Sequence, residues 1–140
     1  MVHALEKSRS LLSSQGIVLN VHDLPRPERI MIHAPDGETF AGFLLNHTDF
    51  ENQRLADEAL AQVVKNGLFQ SEEHLFNYLI HIDSYLALKD HLTESWKNSY
   101  LPGDTLERIR HLLNSAGKDA EILVRMMARL SILIPTAAMG

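Results

Sequence analysis

Residues 119–135 read DAEILVRMMARLSILIP, and this stretch decides how the rest of the chain is expected to fold. Read at helical spacing, its apolar side chains from 122 to 134 cover far more than the roughly 100° stripe of a surface helix. Glu121, Arg125 and Arg129 recur every four residues and form one narrow polar stripe. The pattern predicts a central helix that protein encloses on most sides, with a helix shared across a subunit interface as the alternative.

This segment does not have the pattern of a membrane span. Crossing a bilayer takes about 20 apolar residues, and Arg125 and Arg129 lie in the middle of the apolar run. We therefore expect no membrane insertion.

Size and composition indicate one globular domain covering residues 1–140. The chain is 45% hydrophobic and 22% charged, as is typical of globular proteins. It has no cysteine, which excludes disulfides, thiolate metal ligands and cysteine nucleophiles. The first 15 residues lack the continuous apolar core of a secretory signal, so the cytoplasm is the expected compartment.

The charge is unevenly distributed. The formal net charge is −5, and residues 36–95 carry the excess of acid. Broad binding to a phosphate backbone needs a concentrated basic face, which this distribution does not favour.

The first 47 residues are expected to form a helix and a small antiparallel sheet. Residues 29–33 alternate apolar and polar side chains, and 38–45 form a second extended run. Between them, the sequence Pro35-Asp36-Gly37 is typical of a tight turn, so the two runs predict a hairpin. Gly42, inside the return strand, indicates a bulge or a place where another backbone or a ligand approaches closely.

Residues 48–135 are expected to form a C-terminal bundle of about four helices. The first begins near Thr48, and Asn66-Gly67 ends it. Neither glycine nor proline occurs between Gly67 and Pro102, so residues 71–97 favour one long helix or two with a slight break. A helix over 105–116 and the apolar helix complete the bundle. The predicted fold class is therefore α+β.

Four polar aromatic side chains recur along the predicted long helix at i, i+4, i+7 and i+11. They are His74, Tyr78, His81 and Tyr85. Such a stripe, with hydrogen-bonding tips on half-apolar bodies, suits binding of a partner or a ligand. The alternative is a boundary layer between core and solvent.

The eight histidines do not have the spacing of a metal site. No two lie three or four residues apart, and His74 and His81 would be separated by about 10.5 Å along a helix. A site assembled around the hairpin from His33, Asp36, His47 and Asp49 is the alternative. We expect neither a metal nor a cofactor.

Motifs for catalysis are missing from the sequence. No serine has the GxSxG context, and the glycines form no phosphate-binding loop. A small-molecule or metal-dependent enzyme is therefore a secondary hypothesis.

The first alternative function is a DNA-associated transcriptional regulator, because residues 105–129 are expected to hold two helices joined by a glycine turn. Basic side chains in this region include Arg108, Arg110 and Lys118. The second helix is, however, too apolar to lie in a DNA groove.

The predicted helices over 71–97 and 120–134 both have broad apolar faces. Together these faces exceed what one small chain can bury, which predicts a homodimer. The candidate contacts are Met126, Met127, Leu130 and Leu133, since methionine packs adaptably. Together these patterns favour a non-enzymatic protein-interaction module, such as an adaptor, regulator or chaperone, whose partner is another protein.

Overall fold

A computed structural model describes residues 1–137 of the chain. Within them, four helices are interspersed among six strands. The helices are α1 (Val2–Leu11), α2 (Glu51–Lys65), α3 (Tyr85–Glu94) and α4 (Gly103–Ala116). The strands are β1 (Val18–Asp23), β2 (Glu28–Ala34), β3 (Gly37–Asn46), β4 (Phe69–Ile82), β5 (Ser99–Tyr100) and β6 (Glu121–Pro135).

The chain is α+β, but the predicted arrangement of a small N-terminal sheet and a C-terminal helical bundle is wrong. The strands form a six-stranded antiparallel sheet, and the helices are interspersed with them. Two of the segments expected to be helical, 71–82 and 121–134, are strands.

Strand β6 is the segment that was expected to be the central helix. Its run of buried side chains, Ile122, Leu123 and Val124, shows that successive residues on both faces of the strand are covered. A strand buried on both faces has a continuous apolar sequence, as a buried helix does, so periodicity does not separate the two.

The predicted long helix over 71–97 is also divided differently. Strand β4 occupies its first part, and α3 begins after Ser84, whose hydroxyl accepts a hydrogen bond from the amide of Ala87 at 3.0 Å. Ser84 is therefore a helix N-cap inside a run that lacks glycine and proline.

Two compact units make up the chain, and β4 and β6 contribute residues to both. Of the described residues, the first unit holds Met1–Pro25, Glu51–Phe76 and 127–137. In it, β1 pairs antiparallel with β6 from Val18 opposite Leu133 to Asp23 opposite Ala128. Its core, to which α1, α2, β4 and β6 contribute, consists of Leu5, Leu60, Val63, Phe69 and Leu133.

The second unit holds Arg26–Phe50 and Asn77–Met126. In it, β2 pairs with β3 on one side and with β6 on the other, and β5 adds a short pair to β3. Every second residue of β2, including Ile30 and Ile32, is buried, as the sequence alternation predicts. Those side chains pack in a core with Leu88 of α3 and Ile109 of α4.

The predicted hairpin is confirmed, and so is the bulge near Gly42. Strands β2 and β3 pair up to Ala34 opposite Gly37. The register shifts between Ile30, opposite Gly42, and Met31, opposite Phe40, so that Ala41 is the extra residue of β3.

None of the helices within residues 1–137 has the length and apolar character required to span a bilayer.

Candidate functional site

A chain of polar contacts in the first unit joins α2 to three strands. His22 on β1 contacts Asp57 of α2, and the distance from its Nε2 to the Asp57 Oδ1 is 2.5 Å. The other ring nitrogen of His22, Nδ1, lies 3.0 Å from the side-chain amide nitrogen of Asn20. Arg129 on β6 donates to the same Asp57 oxygen at 3.2 Å and lies 3.9 Å from a carboxylate oxygen of Glu73 on β4. His22, Asp57 and Arg129 are each largely buried.

These contacts fit a structural role better than a catalytic one. Both ring nitrogens of His22 already have a partner, so neither is directed toward a nucleophile that it could deprotonate. The Arg129 cation lies between the carboxylates of Asp57 and Glu73. Their negative charges offset its positive charge, so Arg129 is a poor binding group for an anion. The network therefore anchors α2 on the strands of this unit.

A groove of about 590 Å³ lies beside the network, with Ser71, Lys65 and Val64 among its lining residues. A second cavity, of about 420 Å³, lies in the other unit, where Asp36 of the hairpin and Leu112 of α4 contribute to its wall. Neither contains a nucleophile contacting a base. Among residues 1–137, no three histidine or acidic side chains are close enough together to hold a metal ion.

Strand β4 is the most unusual surface of the chain. It is 14 residues long, and the ten residues from Gln70 to Leu79 are all exposed. In the described part of the chain, β6 is the one strand that pairs with β4. The other edge of β4 therefore presents backbone amide and carbonyl groups that can pair with an additional strand.

The exposed side chains of β4 are not those of a protected edge. Leu75 is 58% exposed and Leu79 is 44% exposed, and Phe76 and Tyr78 are exposed as well. Natural sheets protect a bare edge with charged side chains, with proline or with a bulge. The charged residues of β4 are Glu72 and Glu73, and the stretch from Leu75 to Leu79 contains neither a charge nor a proline. Long, apolar and uncovered edges are typical of surfaces that bind another chain.

The four residues of the predicted His/Tyr stripe do not share one helix. His74, Tyr78 and His81 lie on β4, and Tyr85 lies on α3. Because side chains alternate along a strand, His74 and Tyr78 lie on one face of β4 and His81 on the other. His74 contacts Glu72 at 3.0 Å, and His81 contacts Glu121 at 3.1 Å. Their role in binding stays a prediction.

The four predicted dimer contacts lie on β6 rather than on a helix. Leu133 is fully buried in the core of the first unit, and Met126 is buried in that of the second. Met127 and Leu130 are partly buried. Their role in a subunit interface also stays a prediction.

The predicted pair of DNA-binding helices is not present, because only its first member forms. Residues 105–116 belong to α4, whereas 121–129 belong to β6.

The apolar residues of β4 were not predicted to form a surface. A signal for them was present in residues 75–82, LFNYLIHI, which combine aromatic and β-branched side chains as strands do. Ser71 followed by two glutamates resembled a helix start, and that resemblance outweighed the strand signal.

The chain was also compared with known proteins. No family model matches it, and no significant match was found among curated proteins or solved structures.

Proposed function

We propose that this chain is a non-enzymatic protein-interaction module that works as a homodimer, with the edge of β4 as its pairing surface. The observation that carries the proposal is the ten-residue exposed stretch of a strand with a single strand neighbour among residues 1–137. Main-chain hydrogen bonds to an added strand supply affinity, and the side chains of that strand supply specificity.

The composition of β4 supports a second protein chain as the partner. Leu75, Phe76, Tyr78 and Leu79 together form an apolar centre. Glu72 and Glu73, which precede this centre, disfavour a nucleic acid because phosphates repel carboxylates.

The edge of β4 is a better candidate for the pairing surface than the methionine and leucine positions of β6. Met126 and Leu133 are already buried within the single chain, so they gain little from a second copy. Of the residues expected to bind a partner, His74, Tyr78 and His81 belong to the proposed surface. The proposed role is that of an adaptor, regulator or chaperone, and the proposed compartment is the cytoplasm.

Light scattering of the full chain over a range of concentrations tests this proposal. We expect a dimer at high micromolar concentration, and we expect Leu79→Lys to raise the dissociation constant at least about tenfold, since each dimer loses two apolar contacts and gains two buried charges.

The matched control is Leu86→Lys on α3, which changes a more exposed leucine, 69% accessible, outside β4. This variant should dimerise as the wild type does. A wild-type chain that stays monomeric at high micromolar concentration would overturn the proposal, as would equal effects of the two lysine substitutions.

A further inference from the structure

The geometry of β4 points to one pairing register: we propose that two copies of this chain join their β4 strands antiparallel about a two-fold axis at Asn77. The inference rests on the homodimer proposed above and adds which residues face each other across the interface.

The positions of the charged residues disfavour the parallel orientation. Glu72 and Glu73 both lie in the N-terminal half of β4, and the half from Asn77 to Ile82 contains no acid. Parallel strands in register would place the glutamates of one copy opposite those of the other, and like charges directly opposite are destabilising. Antiparallel pairing places the acidic half against the half without acid.

Symmetry then limits the antiparallel registers. Two residues directly opposite each other point to the same face of a sheet, and side chains alternate along each strand. In a two-fold pair, a residue can therefore face only itself or a residue an even number of positions away. Each allowed register is defined by the one residue that faces its own copy.

Centring the pair on Asn77 matches the apolar centre of β4 with itself, and Glu72, which then faces Ile82, keeps its contact with His74 of its own chain. Leu75 then faces Leu79 of the second copy, and Phe76 faces Tyr78, so apolar groups cover apolar groups. Glu73 faces His81, so a carboxylate lies opposite an imidazole ring. Aromatic pairs across strands stabilise a sheet, and an imidazole N–H can donate a hydrogen bond to a carboxylate.

The neighbouring registers are poorer matches. A centre at Phe76 sets Glu73 opposite Leu79, which removes a carboxylate from water without a partner. A centre at Tyr78 sets Leu75 opposite His81 and brings Glu73 toward Asp83 of the second copy. Asn77 is the position between these two, and its small polar side chain is exposed.

The charged side chains of the proposed pair also have contacts within their own chain. Glu73 lies 3.9 Å from Arg129, and His81 lies 3.1 Å from Glu121. The cross-strand contact extends these pairs when both ring nitrogens of His81 carry a proton, one donating to Glu121 and the other to Glu73 of the second copy.

The chain has no cysteine, so an introduced cysteine is the single thiol in each copy. Directly opposite Cβ atoms lie about 4.5–5.5 Å apart, close to the 3.5–4.5 Å that a disulfide needs. We expect Asn77→Cys to form a disulfide-linked dimer under mild oxidation. Leu75→Cys alone should not, because its two copies would be about 13 Å apart along the strands.

A mixture of two variants provides an independent measurement. Opposite residues alternate between hydrogen-bonded and non-hydrogen-bonded pairs, which differ in spacing. If Asn77 faces its own copy in one of these two types of pair, Phe76 and Tyr78 face each other in the other type. A mixture of the Phe76→Cys and Tyr78→Cys variants is therefore expected to form the mixed disulfide.

The possible outcomes separate the register from the dimer itself. A dimer in light scattering with the disulfides described above supports both. A dimer in which Leu75→Cys links to itself, or in which neither Asn77→Cys nor the mixture links, overturns the register and leaves the homodimer standing. A monomer at high micromolar concentration overturns both.

Discussion

Gly42 occupies a backbone conformation that only glycine adopts without strain. Its φ is +153°, and a Cβ built on it would lie 2.5 Å from Cγ2 of Thr105 on α4. We expect Gly42→Ala to lower the free energy of unfolding by about 3 kcal/mol, through backbone strain and overpacking. Urea denaturation followed by circular dichroism measures the change.

Gly37 provides the control for the steric part of this effect. Its φ is +133°, but a Cβ there would meet no other atom within 4 Å. Gly37→Ala should therefore cost less than Gly42→Ala, and Thr105→Ala should recover part of the loss in the Gly42→Ala background. Equal costs at the two glycines would show that α4 does not press on the strand.

Asp57 is expected to matter more for stability than an exposed carboxylate with a similar ion pair. Its oxygen contacts both His22 and Arg129, and the side chains of Asp57 and Arg129 are about three-quarters buried. Asp57→Ala should lower the free energy of unfolding by about 2 kcal/mol, because it leaves a largely buried cation without its closest acceptor.

Glu38 is the comparison for Asp57. Its carboxylate accepts a hydrogen bond from Arg125 at 3.1 Å, but both side chains are substantially exposed. Glu38→Ala should cost less than about 1 kcal/mol. If the two alanine variants unfold at the same denaturant concentration, burial does not strengthen the Asp57 network.

Single residues were the scale at which the sequence was most informative. The turn at Pro35-Asp36-Gly37 and the irregularity at Gly42 were both predicted, because each depends on local backbone angles. The contacts of Asp57 were not predictable, since residues 22, 57 and 129 come together only through the fold.

At the scale of the element, β6 carries two neighbouring positions with opposite expected effects. Ser131 is fully buried, and its hydroxyl has no hydrogen-bond partner among residues 1–137. Ser131→Ala should therefore raise the free energy of unfolding by about 1 kcal/mol, because it removes an unsatisfied buried polar group.

Leu133, two residues further along β6, is the matched position in the same strand. It is also fully buried, but its side chain packs in the core of the first unit. Leu133→Ala should lower the free energy of unfolding by about 2–5 kcal/mol. Thermal unfolding of both variants tests the pair, and a destabilising Ser131→Ala would show that the hydroxyl is satisfied.

The elements that the sequence did not predict are the two long strands. Strands in globular proteins are mostly shorter than ten residues, whereas β4 has 14 and β6 has 15. Length therefore favoured helices for both. Helix α2, whose buried residues Ala59, Leu60 and Val63 lie at helical spacing, helix α4 and the β2–β3 hairpin were predicted correctly.

At the scale of the whole molecule, the sequence patterns predicted the α+β class but not its topology. The strand β6 pairs with β1 in one unit and with β2 in the other, although both partners precede it by about 90 residues or more. Such distant pairings leave no local signal in a sequence. The division into two compact units does not test the prediction of a single domain over residues 1–140, which stays a prediction.

The proposed surface on β4 was not predictable for the same reason. Whether a strand is central or at an edge depends on its neighbours, and the sequence of β4 is apolar enough for either position. Its exposure became visible only once the strand order was known.

In the proposed dimer, the open side of β4 would make the abundance of this protein a regulatory variable. A self-complementary edge is hydrated when copies are scarce and covered when they are plentiful, so the expression level would decide which form predominates. Pairing about a two-fold axis also covers the free edge of β4 in both copies at once. Growth along it stops at two molecules, which separates a finite assembly from the open-ended stacking of a fibril.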